Sequence, residues 1–203
     1  MSVRILAWLA ASYLLGATPT SYVAGRLARG IDLREHGSRN LGATNVYRVL
    51  GWRWAIPVAL VDIAKGVVPV VLFAVWSGGG PWAQVGCGVA AVLGHIFSPY
   101  VGFKGGKGVA TAAGMFLALA PLAVAIALPL WGVCLWVTGY VSLSSILTAV
   151  LFPLGVRWTR PELPAAFWAA VALAAMIVYS HRANIRRLAA GTENRFRTRK
   201  AMP

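Results

Sequence analysis

Acidic residues are scarce in this chain. Asp and Glu number 5 against 19 Lys and Arg in 203 residues, and only 12% of the residues are charged while 59% are hydrophobic. So little polar surface cannot cover a soluble globule, and the composition is that of an integral membrane protein. Cysteine is nearly absent too. Cys87 and Cys134 both lie inside apolar runs, as packed thiols rather than a disulfide or a metal site, and they point to no redox compartment. The net charge of +14 is not gathered on one basic face. The cations are scattered between long apolar runs, which argues against a nucleic-acid partner and places them at membrane edges.

What is present is organised around GFKGGKGVAT, Gly102 to Thr111, which sets Lys104 and Lys107 among glycines between two apolar runs. Gly105, Gly106 and Gly108 free the backbone for positive φ and close approach to an anion, and the lysines supply charge. The apolar run that follows reads as a helix, whose N-terminus adds unpaired N–H donors. A nucleotide-binding P-loop is excluded, because Val101 stands where its first glycine belongs and Gly108 follows Lys107. On spacing alone two readings stand: a phosphate cradle, or a flexible basic loop touching lipid headgroups.

The apolar runs give an all-α, membrane-spanning bundle in a single domain over 1–203. The first run, about Ile5 to Ala24, is long enough to span and has no neat cleavage site, which favours a span over a signal peptide. Pro19 kinks or ends the helix there, and Gly16 and Gly25 allow close helix contact. Arg26 to Arg53 carries six arginines against Asp32 and Glu35, which makes it a cytoplasmic loop. A second span, about Trp54 to Trp76, holds Asp62 and Lys65 on one helix face, a pair that must face protein at membrane depth. Ser77 to Pro81 forms an external turn, and Trp82 to Phe97 returns to the cytoplasmic side. Val109 to Val156 is too long for one crossing and is broken by Pro121, Pro129, Gly132 and Gly139. The last span runs from Leu163 to about Tyr179, and the basic tail after it, Arg182 to Lys200, belongs inside. The middle stretch therefore crosses an odd number of times. The expectation is seven spans, or five with re-entrant segments, with the N-terminus outside and the C-terminus cytoplasmic.

This topology gathers three polar clusters at one face: GSRNLGATNVYR (37–48), GHIFSPYVGFKGGKGVAT (94–111) and HRANIRRLAAGTE (181–193). In the third, helical spacing puts His181 and Asn184 on one side, with Arg187 near Asn184. In order and spacing the three closely resemble the motifs of the bacterial acyl-phosphate-dependent glycerol-3-phosphate acyltransferases, and the resemblance covers nearly the whole chain. One departure stands out. The first motif of that family usually reads Ser-Gly-Asn, whereas this chain has Ser38-Arg39-Asn40, so that Arg39 is strained if the position needs positive φ.

The resemblance implies transfer of a fatty acyl group from acyl phosphate to the sn-1 hydroxyl of glycerol 3-phosphate, giving lysophosphatidate and phosphate, at the bacterial inner membrane. It implies no cofactor, no metal, no direct use of coenzyme A or carrier protein, and no obligatory protein partner besides membrane lipids and the two substrates. By position in the motifs, Ser38, Arg48, Lys104, His181 and Asn184 correspond to contacts with glycerol 3-phosphate, His181 and Asn184 being the catalytic pair. Asn40, Asn45 and the loop Gly105, Gly106, Lys107 and Gly108 correspond to the acyl-phosphate side, with Glu193 also at the substrate site. A mixed anhydride is already activated, so direct attack suffices, with proximity and electrostatic stabilisation supplied by the site. The base stays open between His181 and a substrate phosphate oxygen. The H-x-x-x-x-D glycerolipid acyltransferases are excluded, because Leu41, Tyr100 and Arg186 stand five beyond the three histidines. A small transporter of phosphorylated lipids is the competing reading.

Overall fold

The computed structural model describes residues 2–196, and the regular elements among them are all helical. Of the basic tail, Arg197, Arg199 and Lys200 lie outside the described residues. The first run splits where Pro19 requires it: α1 covers Val3–Ala17 and α2 covers Thr20–Arg29. A loop through Asn40 leads to α3, Ala43–Leu50. Next comes a long rod, Trp52–Trp76, made of α4 (Trp52–Val68), a π turn over Pro69–Phe73 and the short α5 (Ala74–Trp76). Pro69 lacks an N–H for the regular helical ladder, and the wider turn absorbs the loss. Helix α6 is Pro81–Ile96, α7 Val109–Leu119, α8 Pro121–Thr138, α9 Val141–Thr159, α10 Pro164–Ser180 and α11 Arg182–Ala189.

Among the described residues, four segments are long and apolar enough to cross a membrane: Trp52–Trp76, Pro81–Val101, Pro121–Thr138 and Val141–Thr159. The α10–α11 pair, bent by 57°, makes a fifth if it counts as one span. The stretch after Gly108 differs from the sequence expectation in detail. Pro121 and Gly139 do separate helices, but Pro129 and Gly132 lie inside α8. Neighbouring groups in a membrane protein can re-satisfy the carbonyl that an internal proline leaves open. Helix α7 has only 11 residues, a rise of about 16 Å against a hydrocarbon core of roughly 30 Å.

Two pairs of helices pack backbone to backbone. A Cβ on Gly94 of α6 would lie 2.0 Å from the Tyr13 carbonyl of α1, and one on Gly114 of α7 would lie 2.0 Å from the Ile63 carbonyl of α4. Gly16 has the same role, against Ala91, whereas Gly25 packs on Ile31 and Leu33 of its own loop. The main core lies among α6, α7, α8, α9 and α10, around Val92, Met115, Phe116, Val156 and Leu173. Both cysteines are free thiols, Cys87 buried and Cys134 half-buried.

The Asp62–Lys65 pair faces protein, as its cost in a membrane demands. Lys65 Nζ lies 2.7 Å from Asp62 Oδ1 and donates to the Thr18 carbonyl at 2.7 Å, and Thr20 Oγ1 donates to Asp62 Oδ1 at 2.6 Å. The break around Pro19 thus supplies the polar groups that satisfy the buried pair. His95 Nδ1 lies 3.7 Å from the same carboxylate oxygen, which joins α4 to the end of α6, where the glycine-rich loop begins.

Candidate active site

The three polar clusters meet at one end of the bundle, and the glycine-rich loop between α6 and α7 lies at their centre. After Ile96 the chain turns back, and the Gly105 and Gly106 N–H groups donate to the Ile96 and His95 carbonyls, each at 3.0 Å. These bonds satisfy carbonyls that the end of α6 would otherwise leave open. The glycines are required by space rather than by backbone angle. A Cβ on Gly105 would lie 2.0 Å from the His95 carbonyl oxygen, and one on Gly106 would lie 2.2 Å from His95 Nε2 and 2.4 Å from the Leu41 carbonyl oxygen. Positive φ occurs at Gly108 instead, at 80°. The N–H groups of Gly105 and Gly106 are therefore engaged, which corrects the expectation that they cradle an anion. The open donors are those at the start of α7, just beyond Gly108.

The two loop lysines point to different places. Lys107 is half-buried and donates through Nζ to Asn184 Oδ1 of α11 at 2.5 Å. Burial pushes its ammonium down to about 8; the Glu193 carboxylate opposes that fall, and Arg187 and Arg48 add to it. Lys104 is exposed and lines a separate, polar cavity of about 580 Å³. The sequence expectation grouped Lys104 with Ser38, Arg48, His181 and Asn184. The fold brings Lys107 to that group instead, because the turn back onto α6 leaves Lys104 on the outer side.

In the first cluster, Gly37 (φ 61°) and Arg39 (φ 59°) flank Ser38 in left-handed conformation, so Arg39 does occupy a glycine-like position. Asn45 is buried and fully engaged: its Oδ1 accepts from the Ser38 N–H at 2.7 Å, and its Nδ2 donates to the Leu33 and His36 carbonyls at 3.1 Å. Its hydrogen bonds set the loop that carries Ser38. Arg48 donates to the Asn194 carbonyl at 3.2 Å. Its guanidinium pKa is lowered by burial, against the Glu193 charge that raises it and with Arg187 adding to the fall.

In the third cluster the chain bends at His181, between α10 and α11. His181 Nδ1 lies 2.8 Å from the Ile177 carbonyl, which can only accept, so Nδ1 carries the proton and a neutral ring leaves Nε2 as an acceptor. Asn184 Nδ2 donates to Glu193 Oε1 at 2.6 Å, and the same oxygen accepts from Ser142 Oγ at 2.8 Å. Arg187 Nε donates to Oε2 at 2.7 Å. Burial alone would raise the Glu193 pKa, but the bonds from Asn184, Arg187 and Ser142 overcome it and hold the carboxyl below its ordinary value. Glu193 is thus an internal anchor for Asn184. Ser142 of α9 was missed by sequence reasoning, since one more serine in an apolar run carries no distinguishing signal.

Beyond this polar pole lies a mostly apolar cavity of about 430 Å³ between α7, α8, α9 and α10, lined by Phe116, Leu128, Trp131, Phe152, Leu173 and Ile177 among others. Ser38, Arg48, Lys107, His181, Asn184 and Glu193 stand on its polar end, as do Asn40, Asn45 and Gly108. Such a site can hold an amphiphile with its phosphate among cations and its chain between helices. Among the described residues, no group of three or more His, Cys, Asp or Glu side chains is arranged to hold a metal ion.

Comparison with known proteins agrees with this architecture. The profile of a family described as glycerol-3-phosphate acyltransferase matches residues 6–191. The glycerol-3-phosphate acyltransferase of Trichlorobacter lovleyi is 47% identical over 193 residues, covering 95% of this chain and 97% of that one. That of Chlorobium luteolum is 42% identical over 229 residues, with coverage of 95% and 97%. Crystal structures of PlsY, an integral membrane glycerol 3-phosphate acyltransferase, superpose with TM-scores of 0.87 for the glycerol 3-phosphate form and 0.84 for the lysophosphatidic acid form. The identities are 40% and 39%, and each match covers 94% of both chains.

Proposed function

Because the chain belongs to the glycerol-3-phosphate acyltransferase family, and so is an integral-membrane acyltransferase of phospholipid synthesis, we propose that its acyl donor is acyl phosphate and its acceptor the sn-1 hydroxyl of glycerol 3-phosphate. The products are lysophosphatidate and phosphate. The observation that carries this reading is the joining of a cationic pole, with Arg48 and Lys107, to an apolar cavity at Lys107 and Asn184. Ser38, Arg48, Lys107, His181 and Asn184 hold glycerol 3-phosphate, while Asn40, Gly108 and the start of α7 face the donor's phosphate. Asn45 and Glu193 position their neighbours.

In the reaction the hydroxyl oxygen attacks the acyl carbonyl carbon, the new ester bond forms, and the carbon–oxygen bond to phosphate breaks with its electron pair leaving on phosphate. The hydroxyl proton passes to a phosphate oxygen. Lys107 and the N–H groups at the start of α7 stabilise the charge that develops on the departing group, and the held geometry supplies proximity. His181, with Nε2 as acceptor, orients the hydroxyl. The chemistry calls for no cofactor and no protein partner.

For topology the reading is a single domain over 1–203 with seven crossings (α1, α4–α5, α6, α7, α8, α9 and α10), α7 being a short one. The N-terminus is outside and the three clusters are cytoplasmic, in a bacterial inner membrane. The arginines around α2, α3 and α11 support this orientation. A donor comparison with the purified protein in lipid tests the reaction: turnover is expected with acyl phosphate and not with acyl-CoA or acyl carrier protein. Turnover with either of the latter alone overturns the donor assignment.

A further inference from the structure

The polar cavity outside the reaction site is built for a small anion. Arg34, Arg39, Lys104, Lys107 and Arg182 face it, against Asp32 and Glu35. Asp32 is already closed by Arg34, whose Nη2 lies 2.6 Å from Oδ2. Arg182 stacks 4.4 Å from the Tyr179 ring centre and donates to its carbonyl. Arg39 and Lys104 remain without a carboxylate partner among the described residues. Arg39 also holds φ at 59°, a conformation that glycine accepts without strain and an L side chain does not. Lys107 and Asn40 line both cavities, so the polar one adjoins the reaction site.

We infer that the polar cavity is a collecting subsite for a small phosphate dianion, with the Arg39 guanidinium as its distinguishing ligand. The planar fork of a guanidinium suits phosphate oxygens, and an acyl chain finds its apolar surroundings in the other cavity. Two species share this chemistry at the proposed site, glycerol 3-phosphate arriving and inorganic phosphate leaving. The inference rests on glycerol 3-phosphate as acceptor, not on the identity of the donor.

The test uses the full chain in lipid with Arg39→Gly and Arg39→Gln. Glycine fits the backbone at this position, so loss of fold does not cloud the result, and Gln removes the charge while keeping a side chain. Equilibrium binding of radiolabelled glycerol 3-phosphate is measured without donor at low and high ionic strength, and inhibition of turnover by inorganic phosphate is measured alongside. At low ionic strength both variants are expected to weaken glycerol 3-phosphate binding roughly three- to tenfold, with a flatter salt dependence, because one steering charge is gone. Weakened phosphate inhibition alone identifies leaving phosphate as the occupant. Binding and inhibition both unchanged at low ionic strength overturn the proposal. A parent protein that binds glycerol 3-phosphate but transfers nothing from acyl phosphate refutes the donor assignment separately, since the binding measurement uses no donor.

Discussion

Lys107 Nζ lies 2.5 Å from Asn184 Oδ1, a contact across 77 positions of sequence that joins the glycine-rich loop to α11. With its ammonium near 8, Lys107 is charged below that pH and neutral above it. A phosphate dianion binds the charged form, so KM for glycerol 3-phosphate is expected to stay flat up to about pH 8 and to climb above it. Lys107→Arg does not titrate in this range and should abolish the climb. KM measured from pH 7 to about 9.5 in both proteins decides it; a climb that persists in Lys107→Arg assigns the titration elsewhere.

The two loop lysines should separate in kinetics. Lys107→Ala removes a charged hydrogen-bonding partner worth about 1.5–3 kcal/mol, a loss of roughly 10- to 100-fold in kcat/KM. Lys104→Ala, at an exposed position, should cost at least about tenfold less. Equal losses would return Lys104 to the reaction site.

Gly106→Ala is expected to abolish activity, because its Cβ would meet the Leu41 carbonyl oxygen at 2.4 Å as well as the His95 ring. Gly102→Ala meets nothing within 4 Å, and its φ of 66° costs only about 1 kcal/mol. Turnover of the two variants in the same lipid should differ by orders of magnitude. A Gly106→Ala protein as active as Gly102→Ala would show that the loop can move away from α6.

Glu193→Ala should act through stability, since it leaves Asn184, Arg187 and Ser142 without their shared acceptor. A loss of about 1–3 kcal/mol is expected, allowing for the partial exposure of Arg187, and it is read as a lower unfolding temperature. Unchanged unfolding with a raised KM for glycerol 3-phosphate would instead make Glu193 a direct ligand.

His181→Asn keeps a hydrogen-bonding side chain without a titrating ring, and should retain measurable turnover and the parent pH profile if a phosphate oxygen takes the proton. His181→Ala should lose more. Abolished turnover in His181→Asn with glycerol 3-phosphate binding intact would make the imidazole the general base.

Much of this architecture was legible in the sequence. The break at Pro19, the inward-facing Asp62–Lys65 pair and the meeting of the three clusters all follow from rules that act locally or through the membrane's intolerance of unpaired charge. The division of labour between Lys104 and Lys107 was not legible, because both sit in one loop three residues apart. Only the fold-back of Gly105 and Gly106 onto α6 carries Lys107 to Asn184 and leaves Lys104 exposed in the outer cavity, which Lys107 borders as well. The same contact reverses the reason for those glycines, from backbone freedom to lack of room. Ser142 escaped, and Glu193 was placed at the substrate site without its bond to Ser142, because a pattern within one segment cannot show a bond between two. Arg39 is the opposite case: the motif it interrupts raised the condition that the position needs positive φ, and Arg39 holds φ at 59°.

The bonds from Gly105 and Gly106 to the end of α6 also bear on how the site meets its substrates. A loop held by two backbone bonds, with no room for even a methyl group, is ordered before any ligand arrives. Its conformational entropy is lost when the chain folds and does not weaken substrate binding afterwards. Those two amides should therefore exchange slowly with deuterium in the ligand-free protein, at the pace of the α6 core rather than of a surface loop.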